Sequence, residues 1–472
     1  MSPASRLPGA APLWALYAIA AASFLPALGF HYVGEEAIFP ISSLEMWFRG
    51  EWAEQLLYGG SLKHNPLLNW LIIPFASALG WEHVLGVTRG VAIVASVGIG
   101  LVLAWLCGAL YRDAAFAAFA ALVYLTLADL FFYRGWLAYA DPLFAFFVFA
   151  ALACLWLACE RGSAGLLALA VGSLTCAFMT KAFTAYVFYG AAALTLLAMR
   201  REYRSFLLAP ASWALHALGA ALPAAWLALT PSNVDQGTRM FAEILAKLSP
   251  EGVAEYALKL VTYPLDTTAR LAPALFLAVY YAWRGRASVV EADDRHARVA
   301  LWIALINYLP YWLAPQSSIR YLMPLYPLAG LVIARMLWNA GIPAVASTRR
   351  WLIAAIAIKL IVVVAVFPYY QSHYRGRNYE AAARDILQRT AGQPLYANNV
   401  SASGLSVTAH LDLLRLPAPP LVFPPAQWES GFVLSYAPDA KLGRVAAEYR
   451  LGGNILYLLC RGAACGAASR NR

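Results

Sequence analysis

Charged residues are scarce in this sequence. Only 13% of its 472 residues are charged, whereas 61% are hydrophobic, compared with roughly 45–50% apolar residues in an ordinary soluble domain. This composition excludes a typical soluble domain and indicates a membrane protein. The 35 basic residues outnumber the 25 acidic ones, and in a membrane protein such an excess fits topology and anionic lipid better than nucleic acid. We therefore expect membrane lipids, and no nucleic acid, among its partners.

Cysteine and histidine are also sparse, with six and seven residues. No group of them has the spacing of a metal site. Cys460 and Cys465, in "CRGAAC" near the end of the chain, predict a short disulfide loop in an oxidising compartment. The other four lie in apolar runs, where a thiol usually behaves as a small buried group: Cys107, Cys154, Cys159 and Cys176.

Long apolar runs dominate the rest of the chain. A helix needs about 20 apolar residues to cross the hydrocarbon core, and about eleven runs approach that length. They lie near 11–29, 87–110, 114–131, 142–159, 164–180, 182–199, 205–229, 266–283, 299–314, 321–338 and 351–368. The first run lacks a small-residue cleavage site followed by a soluble domain, so we interpret it as a retained helix and not a signal peptide.

Basic residues in the short connections predict the orientation, because Lys and Arg are retained on the cytoplasmic side. Alternate connections carry them, for example at Arg112, at Arg161 and at the pair Arg349 and Arg350. The remaining connections would then face outward. These are residues 30–86, 132–141, 230–265, 315–320 and everything after about 369.

Two outward segments have apolar residues at helical spacing with charges between them, which is typical of helices in the membrane interface. In the first, Pro40 suits an early helical position, and Ile41, Leu44 and Phe48 share a face. In the second, Ser249 and Pro250 suit the cap and first position before Val253, Tyr256 and Leu260. A simple cover over the mouth of the bundle is an equally good interpretation.

The chain becomes polar from about Tyr369. The stretch "NYEAAARDILQ" predicts a helix with Asn378 as its cap, and "PLYAN", "GFVLSY" and "NILYLLC" predict short strands. This alternation predicts a small α/β domain on the outer side.

Ionisable residues gather at the predicted outer face. Such residues are costly at membrane depth and tend to line a cavity or a functional path. Taken singly, Lys63 and Arg134 could reach the headgroups with their long side chains, and Asp141 could cap the helix that begins beside it. Lys181 is harder to explain in this way, because apolar residues flank it on both sides. Together they predict a site for an anionic lipid headgroup with acid or base chemistry. The group comprises Glu35, Glu36, Lys63, His64, Arg134, Asp141, Lys181, Arg320 and Tyr321.

Several stretches, taken in order, resemble the polyprenyl-phosphate-dependent GT-C glycosyltransferases. They are "EEAIFPISSLEMWFRGEW", "HNPLLNWLIIPFASALG", "LAYADPLFAFF", "MTKAF" and "RYLMPLYP". The resemblance is strongest to bacterial lipid A aminoarabinose transferases and protein O-mannosyltransferases, and it covers residues 30–200 best. It implies a polytopic α-helical membrane protein of GT-C type, with about 11 transmembrane helices and a small C-terminal α/β extracytoplasmic domain. Residues 1–368, including the outer loop 30–86, would form the catalytic domain, and residues 369–472 the outer domain.

The resemblance also implies roles for the first outward loop. Glu35 and Glu36 stand where the family has an Asp-Glu pair that is essential to activity, so the first acid here is longer by one methylene. His64 stands at the basic position of the family's "KPPL" or "HPPL" element, with Asn65 in place of a proline. Lys63, one residue earlier, could supply part of the charge.

Further roles follow from the same resemblance. Asp141 matches an acid at the start of a later helix, and Lys181 matches the outer lysine thought to meet the lipid phosphate. Arg320 and Tyr321 match a basic-aromatic pair. The predicted phosphate-binding residues are Lys181, Arg320 and Tyr321, supported by His64, Lys63 and Arg134. The predicted catalytic acids are Glu35, Glu36 and Asp141.

The implied reaction is an inverting transfer of a hexose or pentose from a polyprenyl-phosphate donor to an envelope acceptor, either lipid A or another glycan. It would take place at the periplasmic face of the bacterial inner membrane. Glu35 would act as the base or orient the acceptor; for a phosphate acceptor no base is needed, and Glu35 would position the donor. Some relatives bind a divalent cation near this face, but the sequence shows no suitable ligand spacing, so we predict no required cofactor. We expect a monomer.

Three other functions stay open. The chain could be a transporter or flippase of a lipid-linked sugar, a protein O-glycosyltransferase, or a non-catalytic partner in an envelope complex. Transporters often contain internal repeats and helices broken near the midplane. The sequence shows no convincing repeat, and its polar residues gather at one membrane face, which favours the enzyme.

Overall fold

A computed structural model of the chain describes residues 7–62, 64–181, 183–230, 252–286, 294–374 and 378–468. Lys63, and the predicted cap at Ser249 and Pro250, lie outside these ranges. The chain forms two compact units: residues 1–25, 92–136 and 140–361 make up the first, and residues 26–91, 137–139 and 362–472 the second. The predicted domains grouped the outer loop 30–86 with the transmembrane helices, whereas the second unit groups it with the C-terminal residues.

The α-helices, numbered in chain order, run as follows. The first ten are α1 (Ala10–Ala22), α2 (Ile38–Arg49), α3 (Leu67–Leu79), α4 (Val84–Tyr111), α5 (Ala114–Leu125), α6 (Ala140–Arg161), α7 (Ala164–Thr180), α8 (Thr184–Met199), α9 (Arg201–Leu207) and α10 (Pro210–Leu229). The later ones are α11 (Val253–Arg270), α12 (Ala274–Trp283), α13 (Arg295–Leu313), α14 (Tyr326–Asn339), α15 (Ile342–Ile361), α16 (Phe367–His373), α17 (Asn378–Arg389), α18 (Ala402–Leu414) and α19 (Ala464–Ala468). Short 3-10 helices cover Leu25–Gly29, Trp81–His83 and Ile319–Leu325, and π-helices cover Leu130–Arg134 and Val362–Val366.

Helix α5 lies at the centre of the first unit. Every residue from Phe116 to Leu125 is buried, because α1 and α14 pack against it. Asp113 caps its N-terminus by accepting hydrogen bonds from the backbone N–H groups of Ala115 and Phe116. Helices α6 and α7 pack along each other, with the short connection at Gly162 and Ser163 between them.

Six helical stretches among the described residues are long and apolar enough to cross a membrane. They are Ala10–Gly29, Trp81–Tyr111, Ala140–Arg161, Pro210–Leu229, Ile319–Asn339 and the described residues of Ile342–Arg389, which leave out 375–377. Shorter apolar helices cover Leu67–Leu79, Ala114–Leu125, Ala164–Thr180, Thr184–Met199 and Ala274–Trp283. The chain is therefore a helical membrane protein, and the count of eleven spans stays a prediction.

Three predicted spans are interrupted in the structure at or beside prolines. The run 205–229 divides into α9 and α10, with Pro210 opening the second helix. The run 266–283 divides at Pro273 into the end of α11 and all of α12. The run 321–338 begins as the 3-10 helix Ile319–Leu325, which contains Pro324, before α14 starts. Because proline lacks an N–H donor and clashes with the preceding turn, hydropathy alone misplaces such boundaries.

The second unit contains α2, confirming the first amphipathic helix. Ile41 and Leu44 are buried, but Phe48 is exposed and does not share their buried environment. The short hairpin of β1 (Leu56–Leu57) and β2 (Gly60–Ser61) follows α2. In the second amphipathic segment, helix α11 begins at Val253, which is exposed.

The C-terminal part of the second unit is a four-stranded mixed sheet with helices. Its strands are β3 (Leu395–Asn398), β4 (Gly431–Ser435), β5 (Arg444–Leu451) and β6 (Asn454–Arg461), in the order β3-β4-β6-β5. Strands β3 and β4 are parallel, with Leu395 opposite Phe432, and the other pairs are antiparallel. Helix α18 lies between the parallel strands in sequence, as a parallel connection requires.

The predicted helix at Asn378 and three predicted strands are confirmed, whereas β5 and α18 were not predicted. Strand β5 is an edge strand with mostly exposed or half-buried residues, so it lacks the apolar pattern that marks a strand. The predicted disulfide between Cys460 and Cys465 is present. The remaining cysteines are buried, apart from the half-buried Cys176.

Candidate active site

The packing of α6 on α7 brings Asp141 and Lys181 together. The tight turn between the two helices makes them antiparallel, so the start of α6 meets the end of α7. Asp141 is in the first turn of α6, and Lys181 directly follows the last residue of α7. The Lys181 ammonium forms an ion pair with the Asp141 carboxylate. Forty residues separate the two in sequence.

Aromatic rings surround the same ammonium. The Nζ atom of Lys181 lies 4.8 Å from the ring centroid of Tyr321 and 5.7 Å from that of Phe144. The Arg320 guanidinium lies 5.2 Å from the Tyr321 ring centroid. We call Asp141, Lys181, Arg320 and Tyr321 the Lys181 cluster. It contains two cations and one carboxylate, so its surplus charge suits an anionic group such as phosphate.

Asp129 organises a second cluster in the first unit. Its buried carboxylate accepts a hydrogen bond of 2.7 Å from the Tyr326 hydroxyl and pairs with the guanidinium of Arg270. The Nε atom of Arg134 lies 3.2 Å from the Asp129 oxygen that accepts the hydrogen bond from Tyr326. Arg134, a predicted phosphate-binding residue, is thus held by an acid that was not predicted.

The second acid of the opening loop is buried. Glu36 is 0% exposed and pairs with Arg89, which is also 0% exposed. Both Glu36 oxygens accept from the Arg89 guanidinium, and they also accept from the backbone N–H groups of Val33 at 2.8 Å and Ala138 at 2.7 Å. Glu36 therefore links the backbone at Val33 and Ala138 to Arg89, and its catalytic role stays a prediction.

Arg89 uses all of its donors in this arrangement. A guanidinium has five N–H groups. Two of them bind the carboxylate of Glu36, and the other three bind the backbone carbonyl oxygens of Ala27, Phe30 and His31 at 2.8, 2.6 and 2.9 Å. The pair thus fixes the backbone from Ala27, in the 3-10 helix Leu25–Gly29, to Glu36.

Glu35 differs from its neighbour because it is exposed. It follows Gly34, which has a φ of +60° that favours glycine. The hydroxyl of Tyr139 accepts a hydrogen bond of 3.1 Å from the backbone N–H of Glu35. The tight turn thus presents the Glu35 side chain at the surface of the second unit while its backbone is held.

A buried amide network supports the loop that carries His64. The Gln55 amide donates to the Asn65 carbonyl oxygen at 3.1 Å and to the Asn69 side chain. The Asn69 amide in turn donates to the hydroxyl oxygens of Ser42 at 3.2 Å and Ser43 at 2.9 Å. His64 itself is exposed.

Three important charged residues were missed in the sequence. Asp129, Arg89 and Arg270 all fall inside predicted apolar spans, and a charge in such a place is a recognised signal of function. The described residues contain no group of three or more His, Cys, Asp or Glu side chains that could hold a metal ion. Independence from metal stays a prediction.

The fold defines a helical membrane protein, and the Lys181 cluster has a surplus positive charge that suits an anionic group. No family model matches the chain. The crystal structure of ArnT from Cupriavidus metallidurans bound to undecaprenyl phosphate superposes with a TM-score of 0.67 at 15% identity, covering 96% of this chain and 99% of ArnT. The oligosaccharyltransferase of Archaeoglobus fulgidus superposes with a TM-score of 0.54 at 13% identity, covering 84% of this chain and 64% of that protein.

Similarity also extends to sequence. The undecaprenyl phosphate-alpha-4-amino-4-deoxy-L-arabinose arabinosyl transferase of Pseudomonas aeruginosa strain UCBPP-PA14 is 30% identical over 218 residues, which are 44% of this chain and 39% of that protein. The corresponding transferase 1 of Pseudomonas fluorescens is 29% identical over 182 residues, which are 38% of this chain and 33% of that protein. The matches thus span about a third of the length of these relatives. The predicted resemblance to GT-C glycosyltransferases is confirmed, and the chain has their fold.

Proposed function

We propose that this chain is a membrane glycosyltransferase that moves a sugar from a polyprenyl-phosphate donor to an envelope acceptor, with lipid A as the first acceptor to test. The observation that carries the proposal is the Lys181 cluster, in which two cations and one acid lie at the meeting ends of helices. The similar proteins indicate the donor. One solved structure has undecaprenyl phosphate bound, and the sequence relatives are transferases that use undecaprenyl phosphate-linked aminoarabinose.

Lys181 and Arg320 would bind the phosphate of the donor. In a single inverting displacement, an acceptor oxygen forms a bond to the anomeric carbon while the bond from that carbon to the lipid phosphate oxygen breaks. The departing phosphate takes the bonding electron pair, and nearby cations stabilise its charge most in the transition state. Asp141 would hold the Lys181 ammonium in place, and Tyr321 would cover it.

Glu35 is the proposed base. With a hydroxyl acceptor its carboxylate would take the acceptor proton. With a phosphate acceptor there is no proton to remove, and Glu35 would orient the donor. His64, Lys63 and Arg134 would add positive charge for the donor, and Glu36 would hold the loop that presents Glu35.

We place the site at the periplasmic face of the bacterial inner membrane, with the C-terminal α/β domain on the same side. The basic connections support this orientation. The Cys460–Cys465 disulfide supports it too, because disulfides persist in oxidising compartments such as the periplasm. We propose a monomer with about eleven spans and no required metal; loss of activity on chelation, restored by one cation, would contradict the last point.

The test is sugar transfer in liposomes that contain purified protein, undecaprenyl-phosphate-linked aminoarabinose and lipid A, with products identified by mass spectrometry. Wild type should yield lipid A heavier by one pentose-type residue and release undecaprenyl phosphate. The Lys181→Met variant should lose transfer, whereas Lys441→Met, at an exposed lysine of the C-terminal part, should retain it. Movement of the lipid-linked sugar across the bilayer without any new glycosidic bond would support the transporter instead.

A further inference from the structure

The C-terminal end of α13 is bound by a lysine from α11. The ammonium of Lys259 donates to the backbone carbonyl oxygens of Tyr311 and Trp312, each at 3.1 Å, and to that of Ala314. It also lies 2.9 Å from the hydroxyl oxygen of Ser317. Four acceptors therefore surround a group that has three N–H donors.

Two neighbouring contacts complete this attachment. The Tyr256 hydroxyl, also from α11, donates to the Leu313 carbonyl oxygen at 2.8 Å. The Trp312 indole N–H donates to the Leu260 carbonyl oxygen at 2.8 Å. The last carbonyl groups of a helix lack partners within it, and a cation there also complements the helix dipole. Helix α11 thus satisfies the consecutive carbonyls from residue 311 to residue 314.

This attachment lies close in sequence to the Lys181 cluster. Ser317 precedes Arg320 by three residues, and the 3-10 helix Ile319–Leu325 carries both Arg320 and Tyr321. The Tyr311 ring, whose own carbonyl is bound by Lys259, lies 6.3 Å from the Tyr321 ring. The Tyr311 ring also stacks on the Phe188 ring, with 5.4 Å between the two centroids. Displacement of residues 311–317 would therefore displace two side chains of the Lys181 cluster, the basic Arg320 and the aromatic Tyr321.

We propose that Lys259 is a positioning residue for the phosphate-binding site: it fixes the end of α13 and, through it, the places of Arg320 and Tyr321. The inference rests on the proposed function, since it assigns Lys259 to the same site. Lys259 acts through the backbone, so its effect should depend on the presence of the Arg320 and Tyr321 side chains.

The experiment measures binding of undecaprenyl phosphate to the purified full-length protein, which needs no catalytic turnover. Wild type, Lys259→Met, Lys259→Arg and the matched control Lys441→Met are compared, with thermal unfolding of each variant as a check on folding. We expect Lys259→Met to bind roughly tenfold more weakly, because misplacement of Arg320 would weaken one ionic contact between its guanidinium and the lipid phosphate. Lys259→Arg should recover part of the affinity, and Lys441→Met should bind as wild type does.

Substitution in a background that lacks both positioned side chains distinguishes positioning from direct contact. If Lys259 acts through Arg320 and Tyr321, the triple variant Lys259→Met/Arg320→Ala/Tyr321→Ala binds no more weakly than Arg320→Ala/Tyr321→Ala. A further loss of affinity in the triple variant would overturn the proposal, because it would mean that Lys259 contacts the lipid phosphate itself. Unchanged affinity of Lys259→Met would overturn it as well. Absence of binding by wild type would instead contradict the proposed function.

Discussion

Replacing Glu36 by Gln should unfold the loop that precedes Glu35, because every contact of the Glu36 carboxylate is with a donor. The four donors are two guanidinium N–H groups of Arg89 and the backbone N–H groups of Val33 and Ala138. A glutamine keeps one accepting oxygen but turns an NH2 group toward donors. At roughly 1.5–3 kcal/mol per hydrogen bond to a charged group, the loss of two comes to about 3–6 kcal/mol. Breaking a buried ion pair costs about 3–5 kcal/mol by independent measurements.

Thermal unfolding of the purified protein and hydrogen exchange of the amides in residues 30–38 would measure this loss. Arg89→Lys should also destabilise the loop, since three ammonium donors cannot serve five acceptors. The matched control is Glu35→Gln, whose side chain is exposed, so its stability should stay within about 0.5 kcal/mol of wild type while sugar transfer falls.

The double variant Glu36→Gln/Arg89→Met provides the strictest check. Removing both partners leaves no uncompensated buried charge, so the double variant should be more stable than the sum of the two single losses predicts. If Glu36→Gln unfolds and exchanges like wild type but has lost activity, the organising role is refuted and Glu36 takes part in the chemistry.

Three further outcomes can be checked on the same protein. Gly34→Ala should destabilise the loop by about 1–2 kcal/mol, because its φ is +60° and the added Cβ would lie 2.7 Å from the Tyr139 hydroxyl; unfolding temperatures would show it. Burial raises the pKa of the Asp412 carboxyl from 3.8 to about 7, so its contribution to stability is full below pH 4 and is lost as the pH rises through 7. Asp412→Asn should remove that slope, worth up to about 4 kcal/mol, from pH-dependent unfolding curves. Reducing the Cys460–Cys465 disulfide should cost about 2 kcal/mol by loop entropy, measured as faster exchange of β6 amides.

The helices were predictable because apolar runs of membrane length admit few other structures. The failures lie where proline competes with hydropathy, as at Pro273 and Pro324, and where an edge strand such as β5 carries mixed residues. The predicted domain boundaries stay a prediction, and the compact units of the structure divide the chain differently. Nothing in the composition of residues 26–91 shows that they form a compact unit with the C-terminal residues, since such packing depends on contacts distant in sequence.

The ion pairs of the candidate site could not be predicted from the sequence, and the outward-facing placement of its residues stays a prediction. Asp141 and Lys181 were predicted at one membrane face, and the turn between α6 and α7 explains their meeting. The partnership of Asp129 with Arg270 spans 141 residues, and no local pattern encodes it. Arg89 was overlooked because one charge scarcely alters the hydropathy of a long run.

The pairing of the acids narrows the choice of base. Of the predicted catalytic acids, Glu36 and Asp141 each form an ion pair with a cation. Glu35 is exposed on a turn whose backbone is fixed by the neighbouring Glu36–Arg89 pair and by Tyr139. Burial thus separates the two adjacent acids: the buried Glu36 carboxylate holds the loop, and in the proposed reaction the exposed Glu35 carboxylate would be the one that meets the acceptor.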